Sequence, residues 1–191
     1  MFVDQANKGL LLIDVLRGKD VRRALVFTRT KHRAERVMRH LSRSGISVDA
    51  IHSNKSQNGR QRSLAAFDNG RIRVLVATDI MARGIDVEGI SHVINYEMPN
   101  DAESYVHRVG RTARAGAPGT ALSFCDASEI VMLKGIEKLI QYELPSVDDH
   151  AFHSTTAASL HKPRAGAAER PVRWRSFSSR SRFGRSGRLG R

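Results

Sequence analysis

Three arginines stand close together in the middle of the chain: Arg108, Arg111 and Arg114. Helical residues three or four apart share a face, so Arg108 and Arg111 are predicted to project together from a helix that begins near Asp101, with Arg114 just past its end. A guanidinium stays charged at any ordinary pH and offers five donors, which suits the oxygens of a phosphoryl group in transfer. The spacing therefore indicates an anion site, and a solvated basic helix end is the alternative that this segment leaves open.

The composition predicts one domain with a hydrophobic core and a basic appendage. The chain has 191 residues and a formal net charge of +13, which points to a polyanionic partner. Most of the excess charge lies after Ala151, where ten Lys and Arg residues stand against one acid. We predict a domain over residues 1–145 and a linker with a disordered basic tail over residues 146–191.

Cysteine usage and hydropathy indicate the compartment. The single cysteine, Cys125, excludes an internal disulfide, fits a reducing compartment and is predicted to be a buried small hydrophobe. No apolar run approaches the roughly 18 residues that a membrane span needs, and the N-terminus lacks the layout of a signal peptide. A cytoplasmic protein with no membrane partner is expected.

Apolar residues follow the strand period and the helix period in alternation. Strands are predicted at 24–27, 48–51, 72–77, 92–96 and 119–124. Helices are predicted at 7–16 and 128–140, after Thr30, before Asn69 and after Asp101. This alternation predicts an α/β fold with a single doubly wound parallel sheet, helices on both faces and right-handed crossovers.

Polar clusters follow three of the predicted strands. They lie at 28–30, at 52–60 and at Thr78 with Asp79. Because ligands of open parallel sheets bind outside the carboxyl ends of the strands, these clusters are predicted to face a ligand.

Five segments, in this order, resemble the motifs of the second RecA-like domain of DEAD-box RNA helicases. They are VFTRTK at 26–31, NKSQNGR at 54–60, VATDIMARGID at 76–86, VINYEMP at 93–99 and YVHRVGRTARAG at 105–116. The wording IHSNKSQ, followed later by IEKLI, is most similar to the bacterial RhlE-type branch. The resemblance implies a RecA-like fold and the role of the C-terminal half of an ATP-dependent RNA helicase.

The resemblance implies two nucleotide contacts. Arg111 and Arg114 match arginine fingers that reach the γ-phosphate of ATP held by another domain, and Asp86 matches the acid that accepts from the ribose hydroxyls. His107 and Arg108 match residues that couple the two domains. The resemblance also implies that His107 belongs to the catalytic site with Arg111 and Arg114. The alternative for His107 is a histidine whose hydrogen bonds are all made within the fold. The alternative for Asp86 is an aspartate that caps a loop.

The resemblance also implies a surface for the RNA backbone, which positions a strand without reading its sequence. The residues placed in it are Thr78, Arg60, Gln57 and Thr28. Asp79 and Arg83 are interpreted as an internal brace, because a loop crowded with cations needs an acid to organise it.

Two positions depart from the family pattern. Ser53 stands where a glycine usually lets the backbone approach RNA, which makes that contact less secure than the nucleotide contacts. Ala113 stands where glycine is common between the two finger arginines, and it leaves both arginines in place.

The sequence has neither a G-x-x-x-x-G-K-[ST] loop nor an Asp-Glu-Ala-Asp run. ATP with Mg²⁺ is therefore expected to be bound mainly by an N-terminal RecA-like domain, supplied in cis or in trans, and no metal site is predicted in this chain. Alone, the chain is expected to bind ATP poorly and to hydrolyse none at a useful rate.

From Pro163 on, arginine, serine and glycine dominate, with Trp174, Phe177 and Phe183 interleaved. This composition predicts a disordered segment suited to non-specific single-stranded RNA, and a merely solubilising tail is the alternative. Two other functions stay open beside the helicase half. One is a non-catalytic RNA-binding module, and the other is a fragment that docks onto an intact helicase as a decoy.

Overall fold

Five parallel strands form one sheet. The computed structural model describes residues 1–82, 85, 87–113 and 118–161. The strands are β1 (Ala24–Thr28), β2 (Val48–Ile51), β3 (Val74–Thr78), β4 (His92–Asn95) and β5 (Thr120–Ser123), in the order β2-β3-β1-β4-β5. Because the chain starts in the middle and extends to both edges, the predicted doubly wound RecA-like fold is confirmed.

Seven α-helices are found in the described part of the chain. They are α1 (Lys8–Arg17), α2 (Lys31–Arg43), α3 (Gln57–Asp68), α4 (Asp79–Ala82), α5 (Ala102–Val109), α6 (Ile130–Ile140) and α7 (Thr155–Leu160). The sequence did not predict α4 and α7, because four and six residues are too few to show a helical period. No helix among the described residues is long and apolar enough to cross a membrane.

The sheet separates two hydrophobic layers. Helices α1 and α2 pack on one face, where Leu12 and Val37 meet Val26 of β1. Phe67 of α3 packs on the other face against Leu25. Because successive strand residues point to opposite faces and both faces are covered, β1 is buried throughout, as expected for a central parallel strand.

A third hydrophobic layer joins α5, α6 and the start of the chain. Cys125 is buried in it, and burial raises the pKa of its thiol to about 12. A thiol held neutral in this way is a poor nucleophile, which agrees with its interpretation as a small hydrophobe.

The packed region extends beyond the predicted domain boundary at residue 145. Ser154 Oγ donates to Asp4 Oδ1 at 2.6 Å, Ala157 of α7 is fully buried, and His161 Nε2 lies 2.9 Å from Glu137 Oε2. The boundary prediction was therefore too early, because the partners that hold this segment are remote in sequence. The rest of the predicted tail, 162–191, lies outside the described residues.

Candidate functional site at the carboxyl edge of the sheet

The polar clusters predicted to face a ligand meet at one edge of the sheet. Thr28 and Thr78 are paired across β1 and β3 at their carboxyl ends, and Asn95 of β4 is paired with the residue before Thr28. Helix α4 follows β3 directly and begins with Asp79, so this carboxylate also lies at the edge.

Arg108 lies in the middle of this edge, and its side chain points into the protein. The residue is only 2% exposed. Its Nε and Nη2 donate to the two carboxylate oxygens of Asp79 at 2.5 and 2.8 Å, and its Nη1 donates to Glu97 O at 2.8 Å and Asn95 Oδ1 at 3.1 Å. The guanidinium also lies 5.0 Å from the centre of the Phe27 ring. This buried bidentate pair fixes α5 against the start of α4.

The prediction that Arg108 and Arg111 project together at an anion is wrong. Helix α5 ends at Val109, so Arg111 lies in the turn beyond it and the helical spacing does not apply. Arg108 has its donors satisfied internally, whereas Arg111 is half-buried and donates from Nη1 to Ile85 O at 2.9 Å.

Arg111 lies at the rim of a small hollow with the exposed side chain of His107. Arg108 and Asp79 also line this hollow. Their ion pair therefore lies directly beside the side chains of His107 and Arg111. Three predicted residues of the same constellation, Asp86, Arg114 and Arg83, lie outside the described residues.

Local interactions hold Arg111 in place. The Asp101 side chain caps α5 by accepting from Ser104 N at 2.7 Å, and Gly110 ends the helix. Thr112, buried just after Arg111, donates from Oγ1 to Ile90 O at 2.6 Å. Ala113 then takes φ 54°, a left-handed conformation that disfavours a side chain, which explains why glycine suits this position.

The second part of the edge is the start of α3. Gln57 is exposed at its first turn, and Ser56 caps it by accepting from Gly59 N at 3.1 Å. Arg60 is half-buried in a hollow of about 150 Å³, where its Nη1 contacts Met81 Sδ at 3.5 Å and its Nε has no hydrogen-bond partner. A buried donor without a partner is costly.

The two threonines of the predicted RNA surface differ in access. Thr78 is half-buried at the end of β3. Thr28 is fully buried, and its hydroxyl donates to Thr30 O at 3.3 Å. A direct RNA contact predicted for Thr28 conflicts with this burial, so its role in the structure is to shape the turn into α2. Ser53 lies in the exposed turn after β2 with an ordinary φ, so the missing glycine causes no strain.

Asp49 ties the start of α3 to the sheet. Its carboxylate pairs with Lys55 and accepts from Ser63 Oγ at 2.5 Å and from Ala50 N at 2.7 Å. Burial alone would raise the pKa of Asp49, but the hydrogen bonds from Lys55, Ser63 and Ala50 outweigh it and hold the pKa below its ordinary value. The network therefore depends on the ionised carboxylate.

Replacing Asp49 by asparagine is expected to reduce stability most at neutral pH. A carboxyl whose pKa is lowered in the folded state adds stability above its unfolded pKa of about 4, and that stability is lost as pH falls through the folded value. The urea midpoints of the parent and Asp49→Asn chains should therefore differ at about pH 7 and converge towards about pH 3. An equal difference at both pH values would contradict this assignment.

A buried ion network behind the edge was missed by the sequence analysis. Lys8 pairs with Glu129 and, at 2.9 Å, with Asp126, and Arg29 reaches Glu129 at 3.3 Å. Arg29 N also donates to Glu97 at 2.9 Å, which places the loop after β1. No local pattern could reveal this network, since Lys8 and Glu129 are 121 positions apart.

Fold and site define the class of this protein as a RecA-like α/β domain whose carboxyl edge is lined by arginines. Residues 7–116 match the family described as the helicase conserved C-terminal domain. The chain therefore belongs to this family, as the C-terminal helicase domain of DEAD-box RNA helicases.

Named relatives agree with this assignment. The ATP-dependent RNA helicase DeaD of Mycobacterium tuberculosis is 44% identical over 153 residues, which are 78% of this chain but 27% of that protein. The E. coli DEAD-box protein SrmB, solved bound to regulator of ribonuclease activity A, has a TM-score of 0.70 and 34% identity over 78% of this chain and 89% of that one. S. cerevisiae Dbp5, solved with RNA and ADP BeF3, has a TM-score of 0.67 and 32% identity over 71% of this chain and 37% of that one.

Proposed function

We propose that the chain supplies the arginine fingers and part of the RNA surface of an ATP-dependent RNA helicase whose first RecA-like domain binds ATP with Mg²⁺. The observation that carries this proposal is Arg111 at the rim of a hollow that the buried Arg108–Asp79 pair supports. A finger acts only if it is held in position, and the brace beneath Arg111 provides that order.

The chemistry of the side chains fits a nucleotide presented from outside the domain. Arg111 and Arg114 would donate to γ-phosphate oxygens, Asp86 would accept from the ribose, and His107 would contact the opposing domain. ATP with Mg²⁺ supplies the phosphoryl group and the charge that these residues meet. Closure of the two domains would complete the site, so hydrolysis depends on the assembled pair.

The RNA surface is proposed to run from Thr78 to the start of α3. Gln57 is exposed there, and the buried Nε of Arg60 lacks a partner. Contacts to phosphate and sugar would hold single-stranded or structured RNA without sequence preference. The solved complex of Dbp5 with RNA and ADP BeF3 supports such a role for a domain of this family.

Replacing Arg60 by glutamine is expected to weaken binding of single-stranded RNA and to reduce the slope of log K against log salt by about 0.7, the loss of one phosphate contact. The measurement is a fluorescence anisotropy titration at several salt concentrations. Arg62→Gln is the matched control, because Arg62 is an exposed arginine of the same helix that is not among the residues lining the hollow. Equal effects of both variants would leave no special role for Arg60.

The proposed function itself is tested by mixing. The chain, a first RecA-like domain from a related DEAD-box helicase, and RNA are expected to give ATP hydrolysis and duplex separation only when all three are present. RNA binding without any rescue of hydrolysis would indicate a non-catalytic RNA-binding module. Inhibition of an intact helicase by this chain would indicate a decoy.

Two finer assignments are proposed. The segments IHSNKSQ and IEKLI support placement in the RhlE-type branch. The lone cysteine supports a cytoplasmic location. Fractionation of cells that produce the protein tests the location.

A further inference from the structure

The outer face of α2 carries a row of basic side chains that the proposed site does not use. With 100° per residue, His32, Arg36, Arg39 and Arg43 fall within about 60° of one another around the helix. All four are exposed, whereas Ala34, Val37 and Leu41 on the opposite side are buried against the sheet. We call these four residues the α2 stripe.

The described residues do not balance the charge of the α2 stripe. Glu35 is the only acid of α2, and its carboxylate is paired with His52, whose Nε2 lies 2.6 Å away. Arg39 donates from Nε to a carbonyl of its own helix at 3.3 Å. Within the described ranges, no ion pair involves Arg36, Arg39 or Arg43.

In the absence of a bound partner, the like charges on α2 lower the stability of the helix. Arginines three and four apart on one helix face repel each other. The first turn of α2 also carries Lys31, His32 and Arg33 and no acid, which opposes the helix dipole. An anion along the face would relieve both costs.

The α2 stripe begins beside the proposed RNA surface. Helix α2 starts at the carboxyl edge of the sheet, and Lys31 Nζ donates to Asn54 Oδ1 at 2.9 Å, in the turn that leads to α3. From His32 to Arg43 the helix then extends about 16 Å away from that edge. A polyanion that passes the turn at Asn54 could therefore continue along α2.

We propose that the α2 stripe is a second RNA-binding surface, which takes the phosphates of RNA that flanks the strand held at the sheet edge. The occupant is RNA because the face presents arginines in a row, and guanidinium groups bind phosphate with two donors each. This proposal rests on the RNA surface proposed above and extends it outside the cleft between the two helicase domains.

The test compares RNA lengths with the full chain. The triple variant Arg36→Gln/Arg39→Gln/Arg43→Gln keeps good helix formers and is expected to bind a single-stranded RNA of about 30 nucleotides on the order of tenfold more weakly, with a salt slope lower by about 2. Its affinity for an RNA of about 8 nucleotides, short enough to occupy the edge alone, should equal that of the parent. Circular dichroism confirms that α2 still folds.

The matched control removes three charges elsewhere. Lys19→Gln/Lys134→Gln/Lys138→Gln changes exposed lysines outside α2 and should leave the salt slope for the long RNA nearly unchanged. Equal losses in both triple variants would overturn the proposal in favour of a general charge effect. Unchanged binding of the long RNA by the α2 variant would also overturn it and would leave an acidic protein as the partner of this face.

The Arg60→Gln variant separates this inference from the proposed function. Suppose that Arg60→Gln abolishes binding of the short RNA while the α2 variant still binds the long RNA as tightly as the parent. The α2 stripe is then excluded as an RNA-binding surface, and the proposed RNA surface at the sheet edge is supported. Failure of the parent chain to bind either RNA overturns both.

Discussion

Replacing Arg111 by lysine is expected to lower the ATPase rate of the assembled helicase by about three to five orders of magnitude, the range that arginine fingers contribute in related phosphoryl transfer. Lysine keeps the charge but lacks the planar fork that donates to two oxygens at once. The fold should be unaffected, because Arg111 is only half-buried and lies beyond the last residue of α5. The rate is measured with saturating RNA and a first RecA-like domain supplied in trans.

Two controls make this result interpretable. Arg71→Lys makes the same chemical change at an exposed residue before β3 and should leave the rate unchanged. Thermal unfolding of the Arg111→Lys chain should match the parent. A rate within about tenfold of the parent would remove Arg111 from the catalytic site, since a finger contributes far more.

Replacing Lys8 by methionine is expected to destabilise the domain by about 3 to 5 kcal/mol. Lys8 is 1% exposed and Glu129 is 0% exposed, with Asp126 close by, so the variant leaves two carboxylates near each other with Arg29 as the remaining cation beside Glu129. Burial raises the pKa of Glu129, and Lys8 opposes that rise without cancelling it. The measurement is urea unfolding at neutral pH.

A second change tests the electrostatic cause. Adding Glu129→Gln to Lys8→Met removes one of the two carboxylate charges. The double variant should recover about 1 to 3 kcal/mol of the free energy of unfolding. The amide can still accept from Met98 N, as Glu129 Oε1 does at 3.2 Å. If the double variant is as unstable as Lys8→Met alone, the loss arises from packing of the lysine stem and the network is not the cause.

The success of the fold prediction has a local physical basis. The five strands and the five longer helices were predicted because burial on one or both faces leaves a period in the sequence. Helix starts were also predictable where Thr30 and Asp101 accept hydrogen bonds from the first turn. Helices α4 and α7 were not predicted, because four and six residues are too few to show a helical period.

The candidate site shows the same division between local and remote information. The order of motifs indicated which residues meet at the carboxyl edge, and the structure brings Arg60, Thr78, Asp79, His107, Arg108 and Arg111 to that edge. The order of motifs could not indicate which arginine side chain is buried. Arg108 is buried because Asp79, Asn95 and Glu97, from two other parts of the chain, surround its guanidinium.

By itself, the sequence determined the class of fold, the family motifs and the cations at the carboxyl edge of the sheet, because periodicity, capping and motif spacing are properties of neighbouring residues. Only the tertiary structure decided that Arg108 is a brace, that Thr28 is buried, and that Lys8 joins a network with Glu129. The physical reason is that burial and ion pairing depend on distances between residues far apart in the chain, which no local pattern records.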